Sequence, residues 1–380
     1  MWDKRLRIAC VSDIHLGHRK NRTVDIIRNL NKYLSCDSLL SQTDLLILAG
    51  DVFDDLLPLN SEDVPHIKAW IARLLRLCKK YDVVVRVLEG TPSHDREQSM
   101  LFPIINEIHE HNSGGQADLV WVQGLEIEHI AKFGIDVLYI QDEYRHDTAE
   151  TLAEAKALMA SKGLEQVDFA VMHGMFTYQV PPAAKNLPLH NEAEYLALVR
   201  HLIFIGHVHT HTRFERIVAQ GSFDRIAHGE EGPKGFVTAV IETDGTHEVT
   251  FVENQTACKF TTIDCSYEDV EQNLMHIDRI AADLPHASHV RIRANYGNPI
   301  LTSLDVVRSR WPLLIWSNKS EDKEDVGNVI LIKEFPTAYV AINIDRHNLK
   351  DLLMPRLGKL GLDAEVLRRC AANIGEMQQL

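Results

Sequence analysis

The sequence predicts an α/β protein followed by a smaller α+β unit and a helical tail, and three observations carry that prediction. Up to about residue 255, short apolar runs alternate with segments of helical periodicity. Five of the apolar runs end directly on Asp or His residues. Beyond residue 256 strand and helix patterns alternate again on a smaller scale, and positions 336–380 show apolar residues at helical spacing on either side of Pro355 and Gly361.

The elements follow in order. LRIACVS, LLILAG, VVVRVL, DFAVMHG and HLIFIGH are expected as buried strands, since each is a short apolar run bounded by polar or glycine-containing turns. TVDIIRNLNKYLS, SEDVPHIKAWIARLLRLCKKY and TAETLAEAKALMASKG are expected as the helices between them, with Ser61 as an N-cap whose hydroxyl accepts a free backbone N–H. TRFERIVAQGSF, KGFVTAVIET and HEVTFVEN then read as strands joined by turns. In the second unit, 256–335, KFTTIDCS, HVRIRAN and LLIWSN read as strands, with helices starting near Tyr267 and spanning Leu301 to Arg310; SNKSEDKEDVGN reads as a polar loop.

At 380 residues the chain exceeds one typical core. No stretch reaches the roughly 18 apolar residues of a membrane helix, and the N-terminus lacks a signal-peptide pattern, so a cytoplasmic protein without a membrane role is expected. Six scattered cysteines without a CxxC pair fit buried thiols in a reducing compartment. The net charge of −14 argues against coating nucleic acid by bulk electrostatics, but leaves room for a local basic surface.

The chemistry lies in the clusters that follow the strands: Asp13 and His15, Asp51 and Asp54, His94 and Asp95, His173, and His207 and His209. Residues just beyond the carboxyl ends of strands in an open α/β sheet converge on one crevice. Carboxylates and imidazoles gathered in this way bind two divalent cations about 3.5–4 Å apart. In DIH and HVH, alternate residues of an extended segment point the same way, so each pair is expected to grip metal together. Asp51 is the natural bridge, and Asp54 is expected to orient a neighbouring histidine. The oxygen and nitrogen set, without cysteine, suits Mn²⁺, Fe²⁺ or Zn²⁺. His18, His190, His211 and His228 are expected at the surface, and Phe176 and Tyr178 are open to packing or to base stacking.

DIH, GDVFD, SHD, HG and GHVH, in that order, resemble the signature of the calcineurin-like metallophosphoesterases. SDIHLG and QGSFDRIAHGEEGPKGF are similar to the SbcD and meiotic-recombination (Mre) repair nucleases within that superfamily. The resemblance implies a four-layer sandwich of two central mixed sheets flanked by helices over 1–255, a DNA-contacting cap over 256–335, and a C-terminal helical segment, 336–380, that holds an SbcC/Rad-type coiled-coil ABC ATPase. It assigns Asp13, His15 and His209 to one metal, His173 and His207 to the other, and Asp51 to both. Mn²⁺ is the expected cofactor, with Mg²⁺, Fe²⁺ or Zn²⁺ as alternatives. The implied activity is double-strand exonuclease and single-strand endonuclease cleavage in DNA repair and recombination, by water that the cations activate. His94 is implied as acid or transition-state stabiliser, with Asp95 or Asp54 fixing its tautomer, and a homodimer is implied that forms a heterotetramer with the ATPase.

The sequence departs from the family in EGTPSHDRE, where the family loop places a metal-binding asparagine. Counting back from His94 gives Ser93; counting forward from Gly90 gives Thr91. Either hydroxyl is a weaker ligand than the amide it replaces. Arg19, Lys20 and Arg22 are candidate phosphate contacts, as are Arg291 and Arg293, with a solvated charge run as the alternative. Two competing functions stay open: a metallophosphodiesterase acting on small or protein-bound phosphoesters, and a catalytically weak DNA-end-binding subunit.

Overall fold

Four layers, helix, sheet, sheet and helix, stack over the first 255 residues of a computed structural model that describes residues 5–58, 60–111, 115–180 and 187–321. The first sheet runs His247–Glu253, Gly235–Ile241, Leu6–Val11, Leu45–Ala49, Val84–Leu88, Leu119–Val122 across its width. Its last four strands are parallel, and Gly235–Ile241 is antiparallel to Leu6–Val11. The second sheet has the order Thr212–Phe214, Ile217–Ala219, Val199–Gly206, Val167–His173, Ile135–Ile140, Leu125–Ile130, with parallel central strands and antiparallel edges. These are the two mixed sheets that the motifs imply.

Residue alternation explains why the sheets stack. Ile8, Cys10, Leu45, Ile47 and Ala49 face Val137, Tyr139, Phe169, Val171 and Phe204 between the two sheets. Their neighbours Ala9, Val11, Leu46 and Leu48 turn outward against Ile26, Leu30, Trp70, Ile71 and Leu74 of the helices Thr23–Tyr33 and Asp63–Lys80. Ala170, Met172, Ile203 and Ile205 do the same against Ala155 and Met159 of the helix Thr148–Ser161. A strand apolar on both faces can only sit between two covering layers. Ser61 is not the N-cap: Glu62 holds that position without a side-chain cap bond, and the Ser61 hydroxyl accepts the Asp63 N–H at 3.3 Å from one residue further out. Arg86, buried within an otherwise apolar strand, is paired with Glu128 of the second sheet at 2.6 Å and with Asp118 at 2.9 Å.

The three strands expected beyond residue 256 form a separate parallel sheet, Phe260–Asp264, His289–Asn295, Ile315–Glu321. It has its own apolar cluster, with Leu274 and Ile277 of the helix Val270–Ala281 and Val307 of Leu304–Arg310. Polar contacts tie it to the sandwich: Asp224 accepts the Cys258 N–H at 2.9 Å, and Asn29 donates to the Thr256 carbonyl at 3.3 Å. The expected tail, 336–380, and the stretch 322–335 lie outside the described residues. Among the described residues no helix is long and apolar enough to cross a membrane.

Several local expectations are corrected. The sequence reading passed over the strands Leu119–Val122, Leu125–Ile130 and Ile135–Ile140 and the helix Leu101–His111. His190 is buried against Phe176 and Tyr195, and His211 is half-buried, stacked on Phe251 and bonded to the Ala219 carbonyl. Phe176 is fully buried and is a packing residue.

Candidate metal centre

All the Asp and His clusters meet at the carboxyl ends of the central strands, as the strand-end argument requires. The local route differs from the one expected. The segment after Leu6–Val11 is not extended: Asp13 and His15 have φ of 51° and 54°, Asp51 has 50° and His207 has 98°. Such backbone costs about 1–3 kcal/mol per residue and persists where surrounding bonds enforce it. Here the Asp13 N–H donates to the Gly50 carbonyl at 3.1 Å, and the Ile14 and His15 N–H groups donate to the Asp51 carbonyl at 2.9 and 3.1 Å. The first two loops are zipped together, and their side chains are aimed by that zipper rather than by strand alternation.

Three groups result, two of which share His15. Ligand atoms of Asp13, His15 and His209 lie within 4.8 Å of one another, as do those of Asp51, His173 and His207, and those of His15, Asp54 and His94. In the first, His15 Nε2 is 3.1 Å from His209 Nε2, which is 3.7 Å from Asp13 Oδ1. In the second, His173 Nε2 is 3.2 Å from Asp51 Oδ2. His173 is fully buried, yet its Nε2 makes no hydrogen bond. A buried lone pair near a carboxylate, without hydrogen-bond geometry, is what a shared cation would satisfy. The nitrogen and oxygen donors fit divalent metal.

Neighbouring groups fix the tautomers. The His173 Nδ1–H donates to the Ala49 carbonyl at 2.7 Å, leaving Nε2 to face the cluster. The His209 Nδ1–H donates to Glu230 Oε1 at 3.0 Å, and the other Glu230 oxygen is 2.8 Å from the buried Lys234 ammonium. Burial works against ionisation of Glu230, but His209 and Lys234 outweigh it and bring the carboxyl down to about 2. Burial likewise opposes ionisation of Asp51, and His173 and His15 overcome it, holding the carboxyl below its ordinary range.

His94 stands beside the first cluster, its ring 5.2 Å from that of His15, and its Nδ1–H donates to the Asp54 carbonyl oxygen at 2.6 Å. The Asp54 carboxylate lies 3.2 Å from His15 Nδ1, which makes no hydrogen bond. Asp95 does not serve His94. Its carboxylate is fully buried and accepts three backbone N–H groups, from Asp51 at 3.1 Å, Phe53 at 2.8 Å and Gly90 at 2.7 Å. Burial, with Asp51 and Glu89 nearby, pushes this carboxyl up despite those donors.

Ser93 is exposed, with its carbonyl taken by the Arg96 side chain, so the expected hydroxyl ligand is not there. Thr91 is inside instead. Its N–H donates to Asp51 Oδ1 at 2.7 Å, and its hydroxyl is 3.2 Å from Asp51 Oδ2 and 3.4 Å from His207 Nδ1. The reason is a helical turn: the His94 and Asp95 N–H groups both reach back to the Thr91 carbonyl, which turns Thr91 and Asp95 inward and Pro92 and Ser93 out. Two functional candidates were missed. Glu230 lies in a string the sequence singles out, but nothing local shows its partner; Asp142 follows an apolar strand as the other ligands do.

Of the candidate phosphate contacts, Arg19 and Lys20 are exposed, whereas Arg22 is paired with Asp25 at 2.7 Å and Arg293 is paired with Asp264. Burial, and then the charges of Arg291 and Lys20, hold the His228 imidazole below its ordinary value. His289, stacked on Phe260 at 4.4 Å, is held down first by burial and then by its neighbours His228, Lys20 and His18. His18 in turn senses Asp54 and His15. Lys20, after the first metal loop, and Arg291, in the three-stranded unit, thus both act on His228.

The two mixed sheets flanked by helices match a metallophosphoesterase-like sandwich, and the Asp/His clusters at its strand ends are candidate sites for divalent cations, consistent with a metal-dependent hydrolase. No protein-family model and no curated protein matches the sequence. Among solved structures, TT1561 of Thermus thermophilus aligns with a TM-score of 0.36 at 12% identity, over 65% of this chain and 98% of that one. A second crystal structure aligns with a TM-score of 0.35 at 12% identity, over 65% of this chain and 100% of its own.

Proposed function

We propose that this protein is a divalent-metal-dependent DNA nuclease, with Mn²⁺ as its working metal, that processes DNA ends together with a coiled-coil ABC ATPase. Asp13, His15 and His209 hold one cation, and His173 and His207 hold the other, with Asp51 between them. The bound cations supply Lewis-acid activation of water and of phosphate oxygens. His94 supplies the proton. With Nδ1–H committed to the Asp54 carbonyl, its exchangeable proton sits on Nε2, where the imidazolium donates to the leaving sugar oxygen or to the charged phosphate. The observation that favours DNA over a small ester is the pair Lys20 and Arg291: one follows the first metal loop, the other lies in the three-stranded unit, and both act on His228, in a chain whose net charge is −14. Two such cations suit a phosphate backbone. Docking of the ATPase is assigned to 336–380, and a homodimer is the expected assembly.

The test compares wild type, His94→Ala and the double variant Lys20→Ala/Arg291→Ala on end-labelled DNA and on a small phosphodiester, with Mn²⁺, across a salt series. His94→Ala is expected to keep metal and lose about 10²–10⁴ in rate on DNA. The double variant is expected to keep its rate on the small ester while DNA cleavage falls and its salt dependence becomes shallower by roughly one to two in log–log slope. Cleavage of the small ester alone would refute the nuclease reading.

A further inference from the structure

We propose that Asp142, together with the Thr91 hydroxyl, is a direct ligand of the second cation. The inference rests on the two-cation reading above and adds a carboxylate to its second site. Asp142 follows the strand Ile135–Ile140, and its Oδ2 is 3.2 Å from both His207 Nδ1 and Thr91 Oγ1. Its other oxygen is occupied by the Glu143 N–H at 2.9 Å, so one oxygen alone faces the cluster. The chain opposite accommodates it closely: Gly174 has φ of +140°, and a Cβ there would lie 3.3 Å from Asp142 Oδ1.

Protons and lone pairs do not balance in this space. The Thr91 hydroxyl carries one proton, yet it lies 3.2 Å from carboxylate oxygens of both Asp51 and Asp142 and 3.4 Å from His207 Nδ1. The His173 ring brings a further acceptor, since its Nδ1–H is spent on Ala49 and its buried Nε2 has no hydrogen-bond partner. One hydroxyl proton cannot satisfy two carboxylates, and with His207 Nδ1 unprotonated as a ligand nitrogen the remaining lone pairs converge on a cation. A second carboxylate also makes the site harder and more negative than an amide would, which favours Mn²⁺ or Mg²⁺ over softer metals.

The alternative role for Asp142 is to orient His207 from behind, and a ligand swap separates the two. Full-length wild type, Asp142→Ala and Asp142→Cys are titrated with Mn²⁺ and with Co²⁺, by calorimetry and by absorption. Asp142→Ala is expected to bind the first cation normally and the second at least a hundredfold more weakly. Asp142→Cys is expected to show a thiolate-to-Co²⁺ charge-transfer band that wild type lacks. Wild-type affinities in Asp142→Ala, or two Co²⁺ bound to Asp142→Cys without that band, would overturn the assignment. Failure of wild type to bind two cations would instead overturn the reading beneath it.

Discussion

Replacing Asp95 with asparagine separates a catalytic role for this residue from a structural one. Its Oδ2 accepts the Asp51 and Gly90 N–H groups and its Oδ1 accepts the Phe53 N–H, so one carboxylate joins the loops after two adjacent strands. An amide of the same shape keeps only one oxygen. In its better orientation the oxygen serves Asp51 and Gly90, and the NH₂ group faces the Phe53 N–H, leaving a buried donor unpaired. That donor costs about 1–3 kcal/mol. The damage reaches the metal site because there is no slack: a Cβ at Gly90 would lie 2.1 Å from the Asp51 amide nitrogen, so any shift of that loop moves the bridging carboxylate. Urea unfolding with and without Mn²⁺, beside a Mn²⁺ titration, should show lower stability and weaker binding together. An Asp95→Asn protein as stable as wild type, with normal metal affinity and impaired cleavage, would refute this reasoning and return Asp95 to His94.

Glu230→Gln should weaken binding of the first cation about ten- to a hundredfold, because the carboxylate that sets the His209 tautomer is lost; unchanged Mn²⁺ affinity would remove Glu230 from the site. Burial holds His190 at about 4 against an ordinary 6.5, so between those values the unfolded chain takes up a proton that the folded chain refuses, and stability falls as pH drops. The gap corresponds to about 3 kcal/mol, and stability curves of wild type and His190→Leu should converge or cross by that amount between pH 7 and pH 4; parallel curves would show that His190 does not contribute.

The parts of this protein legible in its sequence are those where local pattern and tertiary role coincide. Leu45–Ala49, Val84–Leu88 and Val167–His173 are buried along their whole length, so their apolar runs announce them. Leu125–Ile130, at a sheet edge, buries only Ile127 and Ile130 and contains Glu126, Glu128 and His129, which dilutes the same signal. Ile135–Ile140 is buried at five of its six positions, but Asp136 at its second position shortens the apolar run that would mark it. That shortening hid Asp142, because a carboxylate gains meaning only from the strand end that delivers it. Thr91 and Ser93 could not be separated on other grounds: the choice depends on whether the loop coils after Gly90, and the bonds that coil it run from His94 and Asp95 back to the Thr91 carbonyl. The coil in turn is held by the Asp95 carboxylate reaching into the neighbouring loop, a tertiary contact spanning 44 residues. Strand-end position finds the ligands in the sequence; long-range hydrogen bonds decide which side chain of each loop becomes one.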